Sequence, residues 1–244
     1  MRRSVQQSVQ VARWSPLQLG ALCLAWWSAD DLAPGAVASW KDRVLKYDAA
    51  QAVSGSRPVA SILSFGGLPG VTFDGTDDEL TLASCPFPTG ASPSEIHALV
   101  DQAALVADGN HRQAFGYGGT SNATRRALLR RVSGGVNRYG ADTGDNSTAV
   151  ATNDASVDFS GKRYVRAIFG AAATTVSIDL STPVTGAVVP VTGSTRARFG
   201  ASTANTAANF WNGVIRHVVV TSPLGADDAE RMRRWMLNQV GVAR

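Results

Sequence analysis

Apolar residues along this chain come in short runs separated by clusters of Gly, Pro, Asn, Asp and Ser, the rhythm of strands joined by turns rather than of long amphipathic helices. Ala21 to Trp27 is a compact apolar run suited to a buried strand, and Ala36 to Lys41 is a second short candidate between turn signals. Further strands are predicted at Val71 to Phe73, Glu79 to Leu82, Glu95 to Val106 with a break, Gln113 to Tyr117, Arg163 to Phe169, Thr174 to Leu180, Arg196 to Gly200 and Val214 to Thr221. One helix stands out near the C-terminus. Asp227, Asp228 and Glu230 occupy its first turn and Arg231, Arg233 and Arg234 follow, an order that complements the helix dipole. Ala229, Met232, Met236 and Val240, with Trp235 beside them, form a stripe that predicts packing against a sheet.

The connections are read from turn chemistry. Phe73-Asp74-Gly75-Thr76-Asp77-Asp78 ends an apolar strand in Asp-Gly and is expected to form a hairpin turn, since glycine tolerates positive φ and aspartate bonds nearby amides. The same acids offer oxygen to calcium but lack the spaced acids and terminal Glu of an EF-hand loop, so the turn is favoured and no metal site is assigned. Phe115-Gly116-Tyr117-Gly118-Gly119 lacks the Lys and helix start of a phosphate loop and is expected to be a turn. Ala141 to Ser156 is polar without an apolar face, an exposed loop or weak strand pair, and Ala201 to Ala208 is a similar small-residue loop.

Length and charge narrow the class. At 244 residues one β-sandwich domain accounts for the chain, divided as an arm over 1–19 and a body over 20–244. Of the net charge of +4, three units come from Arg2, Arg3 and Arg13, because no acid precedes Asp30. The other 20 basic residues meet 19 acidic ones, so the body is nearly neutral and lacks the concentrated patch of a nucleic-acid-binding fold. The arm therefore either docks on an acidic surface or is a solvated terminus. Cys23 and Cys85 lack the paired spacing of a zinc site and are expected to be buried thiols. The apolar stretch Leu19 to Trp27 is too short and too far from Met1 to suit a signal peptide, and no window suits a membrane span.

Three blocks carry a resemblance. Trp26-Trp27-Ser28-Ala29-Asp30-Asp31-Leu32 with Val37-Ala38-Ser39-Trp40-Lys41-Asp42 resembles the opening of laminin-G-like domains common in phage and bacterial surface proteins. Arg57-Pro58 and Val71 to Leu82 continue the pattern, and Phe210-Trp211-Asn212-Gly213-Val214-Ile215, Pro223-Leu224-Gly225-Ala226 and the terminal helix look like its close. The resemblance implies an all-β, concanavalin A-like jelly-roll sandwich with a short C-terminal helix and an N-terminal arm. It further implies a non-enzymatic virion surface protein, a head decoration, spike or tail-fibre adhesin, assembled in the host cytoplasm. Such a protein would dock on capsid or tail proteins through Arg2, Arg3, Arg13 and Trp14, form a homo-oligomer on the particle, and bind a cell-surface glycan without a cofactor. The alternatives are a bacterial surface or secreted carbohydrate-binding module and, behind it, a divergent glycan hydrolase.

Glycosidases need two placed carboxylates, yet the chain has only Glu79, Glu95 and Glu230, none in the Glu-x-Asp-x-x-Glu strand pattern of catalytic relatives. His97, His111 and His217 are isolated, and no nucleophile signature accompanies them. Arg125-Arg126-Ala127-Leu128-Leu129-Arg130-Arg131 either contacts an anionic glycan or phosphate, or is a strand or short helix whose arginines are solvated or paired. Tyr117, Arg138 and Tyr139, taken as loop-exposed, mix aromatic and cationic groups suited to a sugar ring and are the candidate glycan contacts; no catalytic residue is assigned.

Overall fold

A computed structural model of the chain describes residues 14–44, 46–85, 87–102, 111–119, 125–133, 136–143, 150–151, 161–187, 193, 196–204 and 207–240. The strands are β1 (Cys23–Ser28), β2 (Gly35–Ala36), β3 (Ser39–Trp40), β4 (Ala49–Ala50), β5 (Val59–Phe65), β6 (Leu68–Asp74), β7 (Leu80–Leu82), β8 (Ser94–Gln102) and β9 (His111–Gly118). They continue as β10 (Arg125–Ser133), β11 (Val136–Asp142), β12 (Val150–Ala151), β13 (Gly161–Phe169), β14 (Thr174–Ile178), β15 (Val184–Gly186), β16 (Arg196–Phe199) and β17 (Asn212–Thr221), followed by helix α1 (Ala226–Val240). All ladders between them are antiparallel. One sheet runs β15-β14-β13-β8-β17-β6-β5-β2 with β1 also on β17, and the other runs β12-β11-β10-β9-β16-β7-β4-β3. This is the expected jelly-roll sandwich with its short C-terminal helix.

The first sheet is covered on both faces, which is why β8 and β17 read as nearly continuous apolar runs. Ile96, Ala98 and Val100 of β8 point into the inter-sheet core, while Leu99 joins a second apolar cluster with Met232, Met236, Leu237 and Val240 of α1. The helix thus forms a third layer. Inside the sandwich, Phe199 gathers Trp27, Trp40 and Phe115 at centroid distances of 5.0, 5.1 and 4.7 Å.

The opening motif is structural. Asp42 accepts from the backbone N–H groups of Trp26 at 2.7 Å and Val44 at 2.9 Å. The Trp40 indole donates to Ser28 O at 2.9 Å, and the Trp27 indole to Tyr47 O at 3.0 Å. The indoles of Trp27 and Trp40 and the Asp42 carboxylate therefore tie β1 to β3 and the turn that follows it. Strand β17 changes neighbours part-way, pairing with β6 through Ile215 and with β1 from His217, and its ladder to β8 is irregular at the residue between. That residue, Arg216, spans the changeover by donating to Pro69 O and pairing with Asp30.

Several local expectations are corrected. The Asp74–Asp78 turn is not a hairpin: β6 lies in one sheet and β7 in the other, so the turn is an arch between layers. Phe115 to Gly118 is strand, not turn, and Gly116 serves close packing, since a Cβ there would lie 2.4 Å from Gln113 Nε2 and 3.0 Å from Ala127 Cβ. Ala141 and Asp142 belong to β11 and are buried, while most of the polar stretch that follows them lies outside the described residues. Cys23 and Cys85 are buried thiols outside any disulfide, and burial pushes the Cys23 thiol up to about 12. No helix among the described residues is long and apolar enough to cross a membrane.

Candidate functional site

A pocket of about 220 Å³ opens at the rim of the sandwich, lined by Gly75, Arg112, Asn209 and Phe210. Three connections build it. Arg112 stands at the start of β9, Gly75 in the arch from β6 to β7, and Asn209 and Phe210 just before β17. The Arg112 guanidinium holds them together, with Nη1 donating to Phe210 O at 2.8 Å and to Gly75 O at 3.2 Å. Gln113 N donates to Asn209 O at 2.9 Å. Asn209 itself sits at φ 55°, a left-handed conformation that asparagine tolerates better than most residues. Gly75 is at φ 80°, and a Cβ there would meet Asn212 Cβ at 2.7 Å and Arg112 Nη1 at 2.9 Å, so glycine is required at this wall. Half-buried Phe210 and Asn209 complete an aromatic, amide and cationic lining.

The arch beside the pocket is acidic. Asp74 Oδ1 accepts from Thr76 N at 2.7 Å and Asp77 N at 3.3 Å, Asp78 Oδ2 accepts from Asp74 N at 2.9 Å, and Asp77 Oδ2 accepts from Ser56 Oγ at 2.9 Å. Burial raises the Asp78 carboxyl, opposed by its bond to the Asp74 amide. The three side chains offer oxygens within 4.8 Å of one another, and they are the group of carboxylates among the described residues that a cation would fit. Asp74 Oδ1 and Asp78 Oδ2 already serve the turn as acceptors of backbone N–H groups, and Asp77 Oδ2 accepts from a serine hydroxyl.

The residues expected to contact a glycan are not this site. Tyr117 and Tyr139 are both at 0% exposure. Tyr117 lies in the core with its OH 2.6 Å from Ser94 Oγ, and Tyr139 packs 6.5 Å from Trp211. Their ring faces are occupied by protein, so the loop-exposed pair is corrected to core. Arg138 is half-buried, and as the strand neighbour of Tyr139 it projects from the opposite face of β11, so the two cannot flank one sugar. Of the docking arm, Arg2, Arg3 and Arg13 lie outside the described residues. Trp14 is half-buried on its own domain, its ring 6.4 Å from Trp235 of α1.

The basic cluster lies in strand β10, where Arg125, Arg126 and Arg130 are buried rather than solvated or open to a ligand. Arg125 pairs with Asp142, and Arg126 donates to Ser94 Oγ, Gly90 O and Ser92 O. All three glutamates are engaged. Glu79 pairs with Arg198 at 2.9 Å and Glu95 with Arg166 at 2.8 Å. On the surface of α1, Glu230 bonds Arg233 and Arg234, which hold its carboxyl down at about 2. Sequence reasoning missed Arg112, Asn209 and Phe210. The usable signal was an asparagine prone to left-handed geometry directly before an aromatic residue.

No protein-family model matches the sequence, and no curated protein matches it. Solved structures do. The chain is similar to an arabinofuranosidase complexed with arabinofuranosyl-alpha-1,2-xylobiose, with TM-score 0.58 and 14% identity over 84% of this chain and 51% of that one. It is similar to domain 4 of AbnA, a GH43 extracellular arabinanase from Geobacillus stearothermophilus, in complex with arabinotriose, with TM-score 0.61 and 12% identity over 88% and 97%. It is also similar to Trypanosoma rangeli sialidase, with TM-score 0.58 and 17% identity over 90% and 33%. The chain thus spans about half of the arabinofuranosidase and a third of the sialidase. At these identities the likeness establishes a shared β-sandwich fold.

Proposed function

We propose that this chain is a non-enzymatic recognition domain that binds a glycan at the Arg112–Asn209–Phe210 rim pocket and works on the surface of a virion-like particle. The observation that carries the reading is the pocket lining. An aromatic face covers the apolar side of a sugar ring, while an amide and a held guanidinium meet its hydroxyls. The volume is below the roughly 300–1,000 Å³ of drug-sized ligand sites, which suits one sugar unit of a longer chain. Exposed Asp74 and Asp77 beside a single arginine favour a neutral sugar over an acidic one. Non-catalytic binding is supported by the glutamates, each already engaged by arginine, whereas hydrolysis requires two carboxylates facing one bond. The particle setting rests on the laminin-G-like motifs and on the charge of the arm, through which Arg2, Arg3 and Arg13 dock to capsid or tail proteins.

A second reading, a carbohydrate-binding module of a larger glycan-active protein, is favoured by the likeness to an arabinanase domain seen with arabinotriose. A glycan array with product analysis tests the binding claim. Neutral oligosaccharides are expected to bind without being shortened, and Phe210→Ala is expected to weaken binding at least tenfold with an unchanged melting temperature. Full binding by that variant removes the site, and shortened product removes the non-enzymatic claim. Immunolabelling of particles separates the settings: a label absent from every particle favours the second.

A further inference from the structure

Beneath α1 the second apolar cluster encloses a histidine with nothing to bond. His217 is at 0% exposure, and neither ring nitrogen has a hydrogen-bond partner among the described residues. Its ring lies 5.0 Å from Trp235 of α1 and 6.2 Å from Trp26 of β1, and those two indoles meet edge to face at 5.5 Å. Trp14 also meets Trp235 edge-on, at 6.4 Å. The histidine is thus part of the aromatic joint that fastens the helix to the sheet.

The charges around this joint oppose a second cation. On its own strand the neighbour is Arg216. From the turn after β3 comes Arg43, whose guanidinium lies 4.2 Å from the Trp26 ring centre and pairs with Asp31. From the turn after β1 comes Asp30, whose carboxylate is 3.9 Å from His217 Nε2 but is engaged by Arg216 at 2.9 Å. On β8 the residue in register is Leu99, and β1 contributes Ser28 and Trp26. Helix α1 brings Trp235 and, through a 3.3 Å bond to Arg216, the neutral Gln239. His97, under the same helix, is built differently: Nδ1 is 2.8 Å from Tyr164 OH and Nε2 is 3.1 Å from Glu95. Burial holds the His97 pKa below its ordinary value too, opposed by Glu95 and reinforced by Arg166, whereas a proton on His217 meets burial and two repelling guanidinium groups with the nearest carboxylate already engaged by Arg216.

We infer that His217 is an acid-sensitive latch whose protonation releases α1, and Trp14 with it, from the outer face of the sheet. Burial, then Arg216 and Arg43, hold its pKa well below the ordinary 6.5. A histidine depressed in the closed form takes up its proton more readily in the open one. The latch is therefore intact above about pH 6.5 and weakens as pH falls below that value toward the depressed one. Each pH unit in this window raises the open fraction about tenfold. This inference is independent of the glycan reading.

Amide hydrogen exchange on the full chain from pH 7.5 to 4.5, corrected for the intrinsic pH dependence of exchange, tests it. Protection of α1 is expected to fall about tenfold per pH unit below roughly 6 while the sheet holding β9 and β10 stays protected. His217→Phe keeps an aromatic ring without a proton site and is expected to flatten the α1 profile more than His97→Gln does, because Glu95 offsets part of the burial at His97. A folded His217→Phe chain with the wild-type acid profile overturns the proposal, as does wild-type α1 protection that ignores pH. Should His217→Phe fail to fold, NMR titration of the wild-type imidazole decides: a folded-state pKa near 6.5 refutes the latch, and one well below it supports it.

Discussion

The Arg125–Asp142 pair offers a sharp test of how this sandwich accommodates charge in its interior. Arg125 Nε and Nη2 both reach Asp142 Oδ2, at 2.8 and 2.5 Å, and the two side chains are 1% and 0% exposed. Arg125→Met keeps most of the stem but leaves a buried carboxylate without this cation, a change that costs about 3–5 kcal/mol in comparable buried pairs. A domain has about 5–15 kcal/mol in total, so the variant loses a large share of its stability. In a chain of this size that corresponds to a fall in Tm of about 6–20 °C. Arg125→Met/Asp142→Leu removes both charges and is expected to recover most of the loss, because a well-packed apolar pair replaces a desolvated ionic one. Equilibrium urea unfolding of wild type, both single variants and the double closes the cycle. A cost below about 1 kcal/mol for Arg125→Met would mean that solvent reaches the carboxylate. A double variant worse than the sum of the singles would refute the argument outright.

Two further outcomes follow from the packing. Gly200 is at φ 76°, and a Cβ there would lie 2.3 Å from the Phe73 ring and 2.7 Å from Asp78 O, so Gly200→Ala is expected to cost about 2–5 kcal/mol in urea unfolding, and a loss below 1 kcal/mol would contradict that backbone. Trp211 is at 0% exposure, and Trp211→Ala is expected to cost about 3–5 kcal/mol with poor solubility, whereas an unchanged Tm would place the indole outside the core.

The parts of the fold that were legible in the sequence depend on local pattern. The α1 stripe and its charge order are local, and the helix lies where they place it. Strands β8, β13 and β17 advertise themselves because a sheet covered on both faces leaves long apolar runs. Ala36 to Lys41 was read as one strand, yet β2 and β3 sit in different sheets, and two-residue strands carry no periodicity to betray the break. Strand β5 was missed because its ladder breaks between Ser61 and Phe65, which leaves Ile62 and Leu63 exposed and destroys the alternation. Strand β10 reads equally as strand or helix because its arginines mask an interior segment. Arg125 and Arg126 are buried only because Asp142, Ser94 and two carbonyls arrive from elsewhere in the chain, and such partners cannot be read from neighbouring positions.

The same non-locality explains the candidate site. Tyr117, Arg138 and Tyr139 were joined by residue type, but type alone does not say which way a side chain points. In an extended segment that direction alternates, so adjacent Arg138 and Tyr139 necessarily diverge. The alternation also divides Phe210-Trp211. Trp211 is fully buried, whereas Phe210 remains half-exposed at the pocket with its carbonyl held by Arg112. A motif recognised as a closing strand therefore contains both a core anchor and the ring most available to a ligand. Substitution at Trp211 reaches the pocket only through loss of fold, whereas substitution at Phe210 reaches it directly, so stability and affinity separate across a single peptide bond.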